Sequence, residues 1–203
     1  MKIAVIGSGN IGGTLARKWA AAGHQITLGA RDPAKAEVQE TVSRIGAGTR
    51  ATTIRDAVED ADAVLFAVPG NAMSGVVEAL GTALNGKVVI DAANNIGAPV
   101  ANSVAIIQSA ANEASVYRAF NIYGWENFAE PEVGGVRADL FYAGTDGRSR
   151  QAAEQLITDV GLNPVWVGGP EKAELVDQLL RLWFTLAFEQ KKGRRMALKL
   201  LVA

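Results

Sequence analysis

The feature that most constrains the fold is a glycine-rich turn near the start of the chain. An apolar run that ends at Ile6 leads into Gly7, Gly9 and Gly12, which have the spacing G-x-G-x-x-G. After the turn, apolar residues recur every four positions, as on one side of a helix. A second apolar strand follows and ends at Ala30. The order of strand, glycine turn, helix and strand is typical of dinucleotide-binding sites in α/β folds.

Each of the three glycines has a physical task in such a site. Gly7 permits the tight turn after the strand, and Gly9 lets a pyrophosphate approach the backbone because it has no side chain. Gly12 lets the helix pack closely on the strand, and unpaired amides at the helix start bind the phosphate charge. The alternative is an ordinary loop, since the chain has 22 glycines. The predicted cofactor-binding loop consists of Gly7, Ser8, Gly9, Asn10, Ile11 and Gly12.

The end of the second strand indicates which dinucleotide is bound. An NAD site usually has Asp or Glu there, which accepts hydrogen bonds from the ribose, but this chain has Ala30 and then Arg31. Asp32 followed by Pro33 is the pattern of an N-cap and a first helical residue. Arg31 and Lys35 are then left as cations for a 2′-phosphate, which predicts NADP. The alternative is that both are solvated surface cations.

Strand and helix patterns alternate along nearly the whole chain, which predicts an α/β fold with a doubly wound, mostly parallel sheet. The apolar run 63–68 has the composition of a central strand that is covered on both faces. No repeat or linker interrupts the pattern. We therefore predict a dinucleotide-binding domain over residues 1–169 and a C-terminal helical segment over residues 170–203, packed on the same domain.

Polar residues at the strand ends are candidates for the site of chemistry. In an open α/β sheet, ligands bind beyond the carboxyl ends of the strands. Besides the glycine loop, the strand ends expected there are 68–71, 92–95 and 121–125. Asn94, Asn121 and Tyr123 are the polar groups expected nearest the nicotinamide. The alternative is that the asparagines form turns and that Tyr123 is a packed aromatic residue.

Composition excludes several classes of function. The net charge of −1 argues against general affinity for nucleic acid or anionic membranes, and no apolar run approaches the roughly 20 residues that span a bilayer. The absence of cysteine excludes disulfides, thiolate metal sites and a cysteine nucleophile, and we expect no metal. The first strand begins at Lys2, which leaves no room for a signal peptide and predicts a cytoplasmic protein. The single histidine, His24, lies in a turn and is expected to be structural.

The last predicted helix has two apolar stripes and a basic end. One stripe is Leu175, Leu179, Leu182 and Leu186, and the other is Val176, Leu180, Trp183 and Ala187. A helix that is apolar on two stripes needs burial on two sides, against its own sheet and against a partner subunit or an apolar ligand. We predict a homodimer with Leu182, Trp183 and Leu186 near the contact. The basic residues that follow, expected to form a solvated face, are Lys191, Lys192, Arg194, Arg195 and Lys199.

Several segments together resemble one protein family. They are residues 7–12, 29–33, 67–69, 119–121 and 124–128, and the closing leucine-rich helix. With these segments the chain resembles, over essentially its whole length, the NADP-dependent oxidoreductases of the deazaflavin coenzyme F420. The resemblance implies a Rossmann-type domain, NADP(H) as cofactor, hydride exchange with the 5-deazaflavin ring, and a homodimer.

The resemblance also implies roles for individual residues. Arg31 would bind the 2′-phosphate with Lys35 nearby, and residues 8–11 would wrap the pyrophosphate. The other predicted cofactor-binding residues are Val68, Pro69, Ala92 and Asn94, and the predicted substrate-binding residues are Asn121, Tyr123 and Gly124.

The chemistry of the hydride acceptor gives a separate indication. Reduction of a simple ketone creates an alkoxide, which requires a positioned proton donor, and Tyr123 is the one candidate near the strand ends. A conjugated ring spreads the incoming charge and needs mainly stacking and alignment, which favours a flavin-like acceptor such as a deazaflavin. Two alternatives stay open: an NADPH-dependent reductase of an imine or another small molecule, and an NADP-binding sensor without turnover.

Overall fold

The computed structural model describes residues 1–46 and 48–202, which contain ten strands and eight α-helices. The strands are β1 (Lys2–Ile6), β2 (Gln25–Ala30), β3 (Arg50–Thr53), β4 (Ala63–Phe66), β5 (Val88–Asp91), β6 (Ser115–Arg118), β7 (Glu132–Val133), β8 (Val136–Arg137), β9 (Asp139–Gly144) and β10 (Asn163–Trp166). The helices are α1 (Asn10–Ala21), α2 (Ala36–Ile45), α3 (Ile54–Glu59), α4 (Met73–Leu80), α5 (Val104–Ala110), α6 (Trp125–Ala129), α7 (Arg148–Val160) and α8 (Ala173–Phe184).

Eight of the strands form one sheet, in the order β10-β9-β6-β5-β4-β1-β2-β3. The pairs from β3 to β6 are parallel, β9 runs antiparallel to β6, and β10 is parallel to β9. All four residues of β4 and of β5 are buried, as expected of central strands with helices on both faces. This architecture confirms the predicted α/β fold with a doubly wound, mostly parallel sheet.

Alternate residues of the strands supply two separate cores, one on each face of the sheet. Ile3 and Val5 of β1 belong to the core that includes residues of α1, α2, α7 and α8. Ala4 and Ile6 belong to the core that includes residues of α3, α4 and α5. Because α1 lies on one face and begins directly above β1, its N-terminus opens at the carboxyl edge of the sheet, where a ligand can reach it.

The start of α2 corrects one predicted helix boundary. Asp32 and Pro33 were expected to be the N-cap and first residue, but the helix begins at Ala36. The carboxylate of Asp32 instead accepts a hydrogen bond from the amide of Ala34 at 3.1 Å, which forms a local turn. Lys35, with ψ of 133°, is still non-helical. The carboxylate is therefore engaged by the backbone, although in a turn and not as a cap.

Two short helices and a hairpin were not predicted from the sequence. The helices are α5 and α6, and the hairpin pairs β7 with β8. Each is short, so its apolar residues cannot establish a period. By contrast, the 13 residues of α7 show a clear amphipathic pattern that ends at Gly161, so a helix of this length can be read from the sequence.

The two stripes of α8 have different environments. Val176, Leu180 and Trp183 are at most 5% exposed, whereas Leu175 and Leu182 are 55% and 44% exposed. Trp183 therefore packs in the core of its own chain, and of the three residues predicted near a subunit contact Leu182 is exposed and Leu186 is half-buried. A π-helical turn, Thr185–Glu189, continues α8. No helix in the described residues is both long and apolar enough to span a bilayer.

Residues 190–200, which we call the C-terminal strap, lie along the domain without regular structure. Arg194 forms a two-bond ion pair with Glu126, and Lys199 pairs with Asp139 at 2.6 Å. Arg195 pairs with Glu130. These three side chains are exposed, as predicted for a solvated face, and each also pairs with a carboxylate on an element distant in sequence, which was not predicted.

Candidate active site

The glycine loop between β1 and α1 has the geometry that its spacing predicted. Gly7 has φ of +111°, and a side chain there would overlap the carbonyl oxygen of Ala67. A side chain at Gly12 would overlap the carbonyl oxygen of Gly7. At Gly9, by contrast, a Cβ atom would meet nothing within 4 Å. Two of the glycines therefore permit close packing of the protein on itself, and the third leaves space on the ligand side.

The N-terminus of α1 is free to bind an anion. Gly9 is the N-cap residue, so no side chain caps the helix, and no acidic residue occurs in the first turn. The first amides of a helix have no partner within the helix, and the helix dipole favours negative charge at this end. Together with the space above Gly9, this set of donors fits a pyrophosphate.

The carboxyl end of β2 presents the cation of Arg31, and the nearest carboxylate, Asp32, accepts a hydrogen bond from the amide of Ala34. Ala30 is the last residue of the strand, and Arg31 after it is exposed. Among the residues that the structure describes, no carboxylate forms an ion pair with Arg31. Lys35 pairs with Glu37 at 2.7 Å, and both side chains are mostly exposed. Arg31 is thus the better placed of the two predicted phosphate-binding cations.

The loops after β4 and β5 meet beside the glycine loop. A side chain at Gly70 would overlap the backbone of Asn94 and Asn95, so the two loops are in close contact. Of the predicted residues here, Val68 is half-buried, Pro69 is exposed and Ala92 is 6% exposed. The structure therefore brings three of the predicted strand ends together at one edge of the sheet.

A buried charge cluster lies beneath this edge and was missed from the sequence. Arg118, the last residue of β6, is fully buried and forms an ion pair of 2.7 Å with Asp177 of α8. Its Nη1 donates to the carbonyl oxygens of Asp91 and Ala93. Asp91 accepts hydrogen bonds from two backbone amides, and burial raises the pKa of its carboxyl group. The cluster joins β5, β6 and α8.

A signal for this cluster was present in the sequence. Arg118 follows Val116 and Tyr117 within a strand pattern that is otherwise apolar. A charged residue inside a buried strand must have partners, because an unpaired buried charge is very costly. The identity of those partners was not readable, since Asp177 lies 59 positions away.

The two predicted asparagines both contact this cluster but differ in exposure. The side chain of Asn94 is half-buried; its Oδ1 accepts from Nη2 of Arg118 at 2.6 Å, and its Nδ2 donates to the carbonyl oxygen of Asn121 at 3.1 Å. Asn121 is fully buried and donates to Asp177 at 3.1 Å. Asn94 therefore borders the crevice, whereas the structure corrects the prediction that Asn121 contacts a substrate directly.

The structure also corrects the predicted role of Tyr123. Its side chain is 4% exposed, and its hydroxyl donates to the carbonyl of Asp139 at 2.7 Å and accepts from the amide of Leu198 at 2.9 Å. Burial raises the pKa of the Tyr123 hydroxyl to about 12. The alternative, a packed aromatic residue, is correct. Its hydroxyl holds the C-terminal strap against β9.

Gly124 is likewise covered and does not leave open space for a ring. A side chain there would meet Nη2 of Arg194 at 2.8 Å and the ring of Trp183 at 3.3 Å. Arg194 lies over the Trp183 ring with its guanidinium carbon 5.4 Å from the ring centroid. The strap therefore covers Gly124, which was predicted to bind the substrate.

Two cavities border the edge of the sheet. One, of about 470 Å³, lies between the loop after β5 and α8, and both apolar and charged side chains line it. It is lined by residues that include Asn95, Ile96, Leu180, Phe184, Arg181 and Glu189. The other, of about 550 Å³, lies in front of the glycine loop and is bordered by Ser8, Asn10 and the exposed ring of Trp125. Neither cavity was predicted from the sequence.

Comparison with known proteins assigns the chain to a family. The family model for coenzyme F420-dependent NADP oxidoreductases matches residues 2–95. An F420-dependent NADP reductase of Methanothermobacter thermautotrophicus is 30% identical over 207 residues, which cover 92% of this chain and 89% of that protein.

Two solved structures share the fold. One, from Arthrobacter sp. FB24 and provisionally assigned as an F420-dependent NADP-reductase, has a TM-score of 0.86 at 24% identity, with full coverage of both chains. A Streptomyces aurantiacus imine reductase has a TM-score of 0.66 at 20% identity; the match covers 94% of this chain and 64% of that one. The relatives confirm the predicted resemblance and the predicted class of NADP-dependent oxidoreductase: the chain belongs to the family of F420-dependent NADP reductases.

Proposed function

We propose that this chain exchanges a hydride between NADP(H) and the ring of coenzyme F420. In the direction of F420 reduction, bound NADPH would supply a hydride, which carries one proton and two electrons, and the acceptor ring would take up that hydride together with one solvent proton. The chain supplies binding and alignment for two planar rings, because their reacting carbons must come within about 3–3.5 Å.

Two parts of the nucleotide site support the binding of NADP(H): the start of α1 and the end of β2. The free amides at the start of α1, below the space at Gly9, bind the pyrophosphate. At the end of β2, Arg31 binds the 2′-phosphate, because its planar guanidinium can donate two parallel hydrogen bonds to phosphate oxygens. The nicotinamide then extends along the edge of the sheet towards Pro69 and Asn94.

The observation that carries the choice of acceptor is the burial of Tyr123. Its hydroxyl is occupied by Asp139 and Leu198 and has a raised pKa, so it is not a proton donor to a substrate. His24 pairs with Asp159 at 2.7 Å at the opposite edge of the sheet. The two side chains that would most readily protonate an alkoxide are thus outside the crevice. A conjugated ring, which spreads the incoming charge, suits this site better than a simple carbonyl.

Parallel assays of the purified protein test this proposal. NADPH is mixed with F420, with a flavin, or with a cyclic imine, and its oxidation is followed by absorbance. We expect oxidation with F420 and a rate at least about tenfold lower with the other acceptors. Oxidation with the imine alone would replace the proposal by imine reduction, and tight NADPH binding without oxidation would indicate a sensor.

The variant Tyr123→Phe separates a structural from a catalytic hydroxyl. We expect a lower melting temperature, because the amide of Leu198 loses its acceptor, and a turnover within about threefold of wild type. A loss of turnover of about a thousandfold or more, with NADPH binding intact, would show that the hydroxyl is an acid catalyst.

We also infer that the chain forms a homodimer through the exposed stripe of α8 and works in the cytosol. Leu175, Leu182 and Phe188 are 55%, 44% and 47% exposed on the same helix and its π-helical continuation, and in this proposal a partner subunit covers them. The double change Leu175→Glu and Leu182→Glu is expected to give monomers in light scattering, whereas Glu174→Gln, on the same helix, is not. A monomeric wild type at micromolar concentration would contradict the dimer.

A further inference from the structure

The amide of Asn94 has a fixed orientation, and the reason is chemical. A guanidinium group has donors and no acceptor, so the atom of Asn94 that contacts Arg118 at 2.6 Å must be the oxygen. The nitrogen then faces the carbonyl oxygen of Asn121, to which it donates at 3.1 Å. Both contacts agree on the same orientation. A rotation of the amide by 180° would bring donors against Arg118 and an oxygen against a carbonyl oxygen, and both pairs would repel.

Among the described residues, the contacts of Asn94 leave one of its N–H donors without a partner. A carboxamide nitrogen carries two N–H groups, and one of them is used by Asn121. The side chain is half-buried and lies where the loops after β4 and β5 meet, next to Gly70. A ligand at this junction therefore meets an N–H donor, and the oxygen of the amide is turned to the guanidinium.

Arg118 is held more firmly than Asn94 itself. It is fully buried, its Nε donates to Asp177 at 2.8 Å, and its Nη1 donates to the carbonyl oxygen of Asp91 at 3.1 Å. The guanidinium therefore has a single position, set by β5 and α8. Because Asn94 accepts from this fixed group, its own rotation is restricted before any ligand binds, which lowers the entropy cost of binding.

We propose that Asn94 donates a hydrogen bond to a carbonyl oxygen of a bound conjugated ring and that Arg118 is the residue that positions it. This inference rests on the proposed function, in which two rings with carbonyl groups meet at this edge: the carboxamide of the nicotinamide and the ring of the hydride acceptor. Both offer the same chemistry, an oxygen that accepts. Neither Asn94 nor Arg118 donates or removes a proton in the reaction.

The test uses a change that removes the donor and preserves the contact with Arg118. In Asn94→Asp a carboxylate still pairs with the guanidinium but has no N–H group. The matched control is Asn85→Asp, which adds the same charge at the opposite edge of the sheet. There a carboxylate can still accept from the amide of Glu113. Asn94→Leu, which is of similar size, gives a second measurement if the aspartate variant does not fold.

Three dissociation constants distinguish the two sources of the carbonyl. They are measured by calorimetry for NADPH, for 2′-phospho-ADP-ribose, which lacks the nicotinamide, and for F420 added to the NADP⁺-loaded protein. If Asn94 binds the nicotinamide carboxamide, Asn94→Asp weakens NADPH roughly tenfold or more and leaves the fragment unchanged. If it binds the acceptor ring, the constant for F420 rises by a similar factor and NADPH binding is normal.

Arg118→Lys tests the positioning role. A lysine retains the positive charge, but its single ammonium group cannot reproduce the several directed hydrogen bonds of the planar guanidinium. The Asn94 amide is then no longer fixed. We expect the same ligand to weaken as in Asn94→Asp, but by a smaller factor, and little further loss in the double variant.

The proposal is overturned if Asn94→Asp and Asn94→Leu bind all three ligands like wild type, or if Asn85→Asp weakens them equally. Failure of the proposed function is a different outcome. In that case wild type binds NADPH but neither binds nor reduces F420, and the comparison of NADPH with its fragment still decides whether Asn94 binds the nicotinamide.

Discussion

The glycine loop and the Arg118 cluster lie at the same edge of the sheet, but they are constructed in opposite ways. The loop consists of consecutive residues, and its contacts are made by backbone atoms that any sequence possesses. In the cluster, Asp91, Arg118 and Asp177 come from β5, β6 and α8, and each of its specific contacts involves at least one side chain. The loop leaves donors free for a ligand, whereas the cluster satisfies most of its donors internally.

This difference shows how the two regions divide the work of the site. A phosphate is recognised by unpaired amides and by space, and short-range geometry supplies both. Orientation of a ring requires side chains that do not move, and burial with several hydrogen bonds provides that rigidity. The cluster lies behind the crevice and contacts its border through Asn94, and we propose that the loop binds the ligand directly.

Loss of the buried guanidinium is expected to have the largest effect on stability. Arg118→Met leaves Asp177 and Asp91 without their cation in a buried site, so the free energy of unfolding should fall by about 3–5 kcal/mol in urea titrations. The control Arg50→Ala removes an exposed pair with Asp60 and should cost at most about 1 kcal/mol. Equal losses for the two variants would show that the cluster is not a principal support of the fold.

Two alanine substitutions in the loop should separate packing from ligand binding. In Gly12→Ala the new methyl group overlaps the carbonyl of Gly7, and we expect the free energy of unfolding to fall by about 1–3 kcal/mol or more. In Gly9→Ala the methyl group enters open space, so the melting temperature should hardly change, while NADPH affinity falls because the space for the pyrophosphate is filled. Normal NADPH affinity in Gly9→Ala would place the pyrophosphate elsewhere.

The choice between NADPH and NADH should depend on Arg31 and much less on Lys35. Removal of a charge-assisted phosphate contact costs about 1.5–3 kcal/mol, so Arg31→Ala should weaken NADPH roughly tenfold to a hundredfold and leave NADH nearly unchanged. Lys35→Ala serves as the comparison, because its ammonium is already paired with Glu37. A larger loss in Lys35→Ala would reverse the two assignments.

The smallest expected effect concerns the C-terminal strap and pH. The hydrogen bond from Arg194 lowers the pKa of Glu126 in the folded protein. The contribution of this pair to stability is therefore complete above the pKa of the unfolded state, about 4.3, and is lost as the pH falls through the folded value. Wild type should lose slightly more stability on acidification than Glu126→Gln. Parallel pH profiles of melting temperature would contradict a role of this pair in holding the strap.

The sequence alone determined the nucleotide half of this protein. The glycine spacing, the replacement of a carboxylate by Ala30 and Arg31, and the alternation of strands and helices are all local patterns. Backbone geometry and apolar periodicity have short range, so they can be read from neighbouring residues. The parallel sheet and the role of each glycine in the loop geometry followed from them directly.

Only the tertiary structure decided which polar residues reach the crevice. Asn94, Asn121 and Tyr123 follow neighbouring strands and were equivalent as sequence, yet Asn94 is half-buried and the other two are in the core. Their separation depends on Asp177 and Leu198, which lie more than fifty positions further along the chain. Buried polar groups are nearly always hydrogen-bonded, and the partner is whichever group the fold brings close, however distant it is in sequence. No local pattern records which group that is.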